Sequence, residues 1–339
     1  MRLPSYRTCV FGGVISGVAA AATLAPHRLT FVLVAAAAIA AALLIAAATK
    51  AVTGRESFTF FHYSIASLVT AAIALRVAGE PILHGLDLIA LALAVTQAIG
   101  RLGCLSAGCC HGRPSRWGIR YGAAHVATGF AEHWAGARLL PVQAIESAAL
   151  FLIAGWGAMA IARGATPGLP MTTILTASAA ARFTLELLRG DARPHWLSVS
   201  EAQWTSLGIT LVLTVLRGAG MLPVSRVGDG LTFCLFLGAA VLAICGDRLT
   251  AGLQLDEIAR ALQGARGGGN VFATPQGLRV SCGRTAGADH YSLSADPPLP
   301  ARTARRLAAI VRDTAHPDAR AALVAGGGGV WHVVIEERP

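Results

Sequence analysis

The first 246 residues consist of long Ala, Leu, Ile and Val runs broken by short charged or Gly-rich segments. Runs of spanning or near-spanning length fall at about 9 to 24, 30 to 48, 58 to 78, 82 to 100, 142 to 162, 168 to 188, 204 to 217 and 229 to 246. They predict seven or eight transmembrane helices. The first and seventh runs are the shortest for a hydrocarbon core about 30 Å thick. Between spans four and five, Arg101 to Leu140 holds five Arg against one Glu, with Trp117, Tyr121 and Trp134. A connection of that length in a helical bundle predicts a compact cap or head. Arg101 is expected to close span four, with the Gly-rich run after it turning repeatedly and Cys104 just past the helix end.

From Asp247 the pattern changes. Leu253 to Leu262 has helical spacing, Val271 to Val280 and Tyr291 to Ser294 alternate like strands, Ala301 to Val311 reads as an amphipathic helix, and Val330 to Ile335 reads as a closing strand. The expected organisation is an all-α membrane bundle over 1–246, its head at about 101–140, and a small soluble α+β domain over 247–339. The appendage shows no catalytic spacing, which favours a docking or regulatory role. With eight spans it would lie on the face of the head, and with seven on the opposite face.

Composition agrees: 54% of residues are hydrophobic and 14% are charged, where soluble domains carry about a quarter charged. Intrinsic disorder, collagen and small disulfide scaffolds are excluded. The net charge of +10 is concentrated in 1–246, with 17 basic and 9 acidic residues. Beside apolar spans the expected anionic partners are lipid headgroups, not nucleic acid.

Ionisable residues inside spans are costly and mark sites. Span six carries Arg182 and Glu186, four apart on one helical face, followed by Arg189 and Asp191. Arg101 ends span four, and His62 near the start of span three is a candidate base. The Cys104, Cys109, Cys110, His111 run matches no standard zinc spacing, since adjacent cysteines do not readily share one ion. Cys109 is kept as a candidate reactive thiol, with packing the alternative. No cofactor or metal is expected.

Taken together, several segments resemble the prolipoprotein diacylglyceryl transferases, bacterial inner-membrane enzymes that move diacylglycerol from phosphatidylglycerol to the lipobox cysteine of a lipoprotein precursor. They are Gly100-Arg101-Leu102-Gly103 with Gly108 and Gly112-Arg113-Pro114, then Trp117-Gly118, and Pro141-Val142-Gln143 with Glu146. Further along come Arg182-Phe183 with Glu186 and Arg189-Gly190-Asp191, and Ser200 with Gln203 and Ser206. The resemblance covers about 58 to 217. It implies catalytic roles for His62, Arg101, Arg182 and Glu186, and substrate binding by Gly103, Gly108, Gly112, Arg113, Gln143, Glu146, Arg189 and Gln203. It also places the loops at 101–140 and 189–203 on the outer face. The chain departs from the family pattern at Cys104, Ala107 and Cys109, where the family has Asn, Asn and Glu, and at Leu140, where it has His. Two other readings of the same residues are a non-catalytic anionic-lipid binder or transporter on the same fold, and a membrane thiol-redox protein.

Overall fold

A computed structural model of the chain describes residues 6–54, 60–191, 195–197, 199–245, 252–266, 270–285, 288–316 and 318–336. It divides into two compact units. One holds 1–106, 144–186 and 201–242, and the other holds 107–143, 187–200 and 243–339.

The first unit is the helical bundle. Its helices are α1 (Tyr6–Leu24), α2 (Arg28–Thr53), α3 (Phe60–Ala78), α4 (Ile82–Ala107), α6 (Val142–Ala162), α7 (Leu169–Glu186), α8 (Glu201–Gly218) and α9 (Arg226–Cys245). That makes eight among the described residues. Four of them, α1, α2, α4 and α6, are long and apolar enough to cross a membrane by length and composition. The bundle is apolar on its outside as well as in its core. Its interior packs small residues such as Ala21, Ala35, Ala38, Ala71 and Ala90, whereas Leu29, Leu33, Leu44, Ile73, Val77 and Leu152 point outward. Lipid removes the drive to bury large apolar groups, and small residues let backbones approach. α1 and α4 meet this way: a Cβ added at Gly103 would lie 2.7 Å from Cys9 Cβ, and one at Gly17 would lie 2.4 Å from the Ala92 carbonyl oxygen.

α7 begins where Asp87 of α4 accepts the backbone N–H groups of Gly168 at 2.8 Å and Met171 at 2.7 Å. A buried carboxylate thus satisfies donors that a helix start leaves open. Pro170 fits in the same first turn because its missing N–H costs nothing there.

The second unit joins the head to the C-terminal domain. The head carries β1 (Pro114–Arg120), the short α5 (Ala123–Val126), a 3₁₀ turn (Glu132–Trp134) and β2 (Arg138–Leu139), with β1 and β2 antiparallel. A second hairpin, β3 (His195–Trp196) with β4 (Val199–Ser200), comes from the segment between α7 and α8. The C-terminal domain is α10 (Gly252–Ala265), β5 (Phe272–Ala273), β6 (Arg279–Thr285), β7 (Ala288–Ser294), α11 (Ala301–Ala315), β8 (Arg320–Ala325) and β9 (Trp331–Glu336). Its antiparallel sheet has the order β5-β6-β7-β9-β8. One sheet face and the two helices bury Ile258, Leu262, Val280, Tyr291, Leu293, Leu307, Val311, Val333 and Ile335.

α10 also closes a core with the head, where Leu255 and Ala259 join Tyr121, Phe130, Trp134, Ala137 and Leu139. Four bundle helices, α6 to α9, separate head from C-terminal domain in sequence. Each has at least 18 residues, a length within the range that spans a bilayer.

The structure corrects three expectations. α4 does not end at Arg101: it runs to Ala107, through Gly100, Gly103 and Cys104. Gly103 lets α1 approach, and of the glycines in that run Gly108 is the first to turn the chain. The strand expected over 271–280 is two strands, interrupted by a turn in which Gly277 has φ +83°. β8, unforeseen in the sequence, pairs with β9 at the sheet edge.

Candidate functional site

In the bundle, charged residues from three helices meet, three of them buried and Arg101 nearly so. Arg101 on α4 donates through Nε to Glu146 Oε2 on α6 at 2.9 Å. Arg182 on α7 places Nη1 3.4 Å from the same oxygen and Nη2 2.8 Å from Glu186 Oε2. Gln97, one helical turn before Arg101, donates to Glu146 Oε1 at 3.4 Å. Arg182, Glu146 and Glu186 are all buried, Glu146 to 1% exposure.

The i,i+4 spacing of Arg182 and Glu186 makes their pairing local. Glu146 comes from another helix and binds both arginines. Two guanidinium groups and two carboxylates balance in charge, the condition under which buried ions are tolerable. Beside this cluster lies a small cavity walled by Ser64, Leu93, Ala94, Ile174 and Ser178, with Gln97 also on its lining. Gln203 on α8 donates to the Phe183 carbonyl at 3.2 Å, tying α8 to the helix that carries Arg182. His62 falls in α3, but its side chain lies outside the described residues.

The second unit contains most of the other motif residues. Gly108 (φ +78°) and Cys110 (φ +60°) take left-handed backbone conformations and turn the chain out of α4. His111 to Arg113 then cross two other segments backbone to backbone. Gly112 N–H donates to Leu140 O at 2.9 Å, Arg113 N–H to Leu188 O at 2.9 Å, and Gly190 N–H to His111 O at 3.1 Å. Side chains would not fit: a Cβ on Gly112 would lie 2.7 Å from Leu140 O, and one on Gly190 would lie 2.7 Å from Gly112 O. Gly112 and Gly190 are therefore where three strands of backbone close on each other. Gln143 donates to Cys109 O at 2.7 Å, and Arg113 to Leu187 O. Arg189 binds Asp191 in a two-pronged pair at 2.8 and 2.9 Å.

His111 is buried in this crossing. Its Nδ1 lies 2.9 Å from the Gly112 carbonyl, which only an N–H can approach as donor, so Nε2 carries the lone pair. The rings of Phe130 and Trp134 meet it edge-on at 5.9 and 5.4 Å. Burial is the main reason its pKa lies below the ordinary histidine value, and the Arg189 cation acts in the same sense; the Gly112 carbonyl and Asp191 oppose. His111 is a neutral imidazole at physiological pH. Cys109 is exposed and Cys110 half-buried.

Gln97 was not singled out in the sequence, although its position one turn before Arg101 on the same helical face was a usable signal. The joining of two arginines by Glu146 had none, because it depends on how α6 packs against α4 and α7.

Residues 58 to 218, just under half of the chain, match the model of the family described as prolipoprotein diacylglyceryl transferase. The resemblance read from the motifs is borne out over that segment. A phosphatidylglycerol–prolipoprotein diacylglyceryl transferase of Clostridium tetani (strain Massachusetts / E88) is 30% identical over 134 residues, which cover 40% of this chain and 52% of that protein. The Clostridium perfringens (strain 13 / Type A) protein named phosphatidylglycerol–prolipoprotein diacylglyceryl transferase 2 is 33% identical over 130 residues, 37% of this chain and 47% of that one. The chain thus spans about half the length of the curated relatives it matches. No solved structure matches it.

Proposed function

We propose that the chain is a membrane transferase that moves a diacylglyceryl group from phosphatidylglycerol to the cysteine thiol of a lipoprotein precursor, in a bacterial inner membrane. The observation that supports it is the aim of Arg101 and Arg182 at one point, Glu146 Oε2, inside an apolar bundle. A phosphate oxygen arriving there meets two guanidinium groups without competing water, where charge-assisted bonds are strongest. Glu146 Oε2 pairs with both arginines at that point, so lipid binding exchanges one anion for another.

In the reaction the thiolate sulfur attacks the glycerol carbon that bears the phosphoester. The S–C bond forms, the C–O bond breaks, and glycerol phosphate leaves with the electron pair. Arg101 and Arg182 stabilise the charge gathering on the leaving phosphate, and Glu186 holds Arg182 in orientation. The thiol proton passes to a neutral imidazole, for which His62 on α3 and His111 in the head are the candidates. The family resemblance assigns substrate binding to Gly103, Gly108, Gly112, Arg113, Gln143, Glu146, Arg189 and Gln203.

A second reading, an anionic-lipid binder on the same fold that transfers nothing, is favoured by Cys104, Ala107 and Cys109 standing where the family carries two side-chain amides and a carboxylate. Purified protein incubated with phosphatidylglycerol and a lipobox peptide separates the two. The transferase yields a thioether-linked diacylglyceryl peptide by mass spectrometry, dependent on Arg182, and the binder yields none.

A further inference from the structure

The C-terminal domain lies beyond the segment matched by the family, yet two of its acidic residues complete bonds that the head leaves open. Trp134 is fully buried, and a buried indole N–H needs an acceptor. That acceptor is Asp256 Oδ1 on α10, at 3.1 Å. Asp256 also accepts from His133 Nε2 at 2.5 Å and from Arg260 on its own helix. Arg120 and Arg138 sit directly opposite each other on β1 and β2, where like charges destabilise the pairing. Asp318, just before β8, accepts from both, at 2.5 and 2.8 Å.

We infer that the C-terminal domain is a working part of the head, with Asp256 the positioning residue that fixes Trp134 and, through its ring, the neighbouring His111. The path is short. Asp256 holds the indole, the indole meets the His111 imidazole edge-on, and Leu255 and Ala259 of α10 seal the same aromatic cluster against water. His111 is in turn faced by Phe130 and Cys110 of the head and by Arg189 and Asp191 of the following segment. Loosening Trp134 admits water to the imidazole and relieves the burial that keeps it neutral.

The inference rests on His111 taking part in the proposed transfer, and the test separates the two. Asp256→Asn and Trp134→Phe are made singly and together in the full-length protein, with Arg302→Gln, at an exposed position of α11, as the control. Each is followed by transfer kinetics over a pH series and by hydrogen exchange of the head. Loss of one charge-assisted bond should lower kcat about tenfold in either single variant. The KM for phosphatidylglycerol should stay within twofold and the acid limb of the kcat profile should move to higher pH, while the double variant is no worse than either single one. Exchange should rise around residues 130–140 and stay unchanged in the bundle, and Arg302→Gln should match the wild type. Raised head exchange in a wild-type background that shows no transfer upholds the positioning role and removes the transferase reading. Unchanged exchange in Asp256→Asn, or losses that simply add in the double variant, overturns the inference.

Discussion

Arg101 and Arg182, carried on different helices, share a single acceptor atom, Oε2 of Glu146. The arrangement predicts that the two arginines act as one clamp. Arg182→Lys keeps the charge but loses the planar fork, and is expected to lower kcat/KM for transfer about tenfold. Arg182→Ala leaves Glu146 and Glu186 short of a cation and should cost about a hundredfold or more. Equal rates for both variants and wild type in a labelled-lipid assay would remove the clamp from the mechanism.

Glu146 itself should trade stability against lipid binding. Glu146→Gln takes from Arg101 and Arg182 the carboxylate they share, and breaking such a buried pair costs about 3–5 kcal/mol. An anionic lipid can restore the balance. Thermal unfolding in neutral detergent should therefore show a lowered Tm for this variant, recovered more strongly than in wild type by added phosphatidylglycerol and not by phosphatidylcholine.

Glycines inside and outside the motifs should divide by what surrounds them. Gly190→Ala puts a methyl 2.7 Å from a backbone oxygen of the crossing segment and is expected to unseat it, seen as lost head protection in hydrogen exchange. Gly155→Ala, on α6 with nothing within 4 Å of the added carbon, should be neutral or slightly stabilising. A Gly190→Ala protein with wild-type exchange would show that the backbone crossing is loose.

His111 gives the head an acid-sensitive element. Its folded pKa is lowered, so the unfolded chain takes up a proton near pH 6.5 while the folded head does not. Its contribution to stability is complete above about pH 6.5 and is lost as pH falls through that value to the folded pKa. Head exchange measured between about pH 7.5 and 5.5 should rise, and the rise should be smaller in His111→Gln. Identical slopes would assign the sensitivity to other groups.

Thiol chemistry should follow exposure. Cys109 is exposed and Cys104 is buried within α4. Mild alkylation of the folded protein should modify Cys109 first, with Cys104 protected until denaturant is added. Cys104→Ala should cost only modest packing stability. Rapid alkylation of Cys104 would reverse the order.

Much of this organisation is legible in the chain. Apolar runs locate the bundle because spanning length is a one-dimensional property, and the Arg182/Glu186 pairing follows from helix geometry alone. What escapes the sequence depends on partners distant in it. Gly100 and Gly103 looked like chain breakers because glycine breaks helices in water, whereas here Gly103 lets α4 close on α1. The link from Asp256 to Trp134 joins residues 122 apart, and no periodicity announces an acceptor placed for a buried indole. The expected 271–280 strand failed on a local signal, since Thr274 to Gly277 forms a turn inside the alternating run.

The order in which the ribosome makes these pieces then matters. Trp134 emerges 122 residues ahead of Asp256, a delay of roughly 6 to 24 s at ordinary rates of synthesis. Four bundle helices, α6 to α9, are made in that interval. Until the last of them is placed, the head has an indole without its acceptor and two facing arginines without Asp318. A nascent chain stalled after α9 would present that unfinished aromatic cluster to chaperones and proteases, so release of the finished C-terminal domain is the event that completes the head.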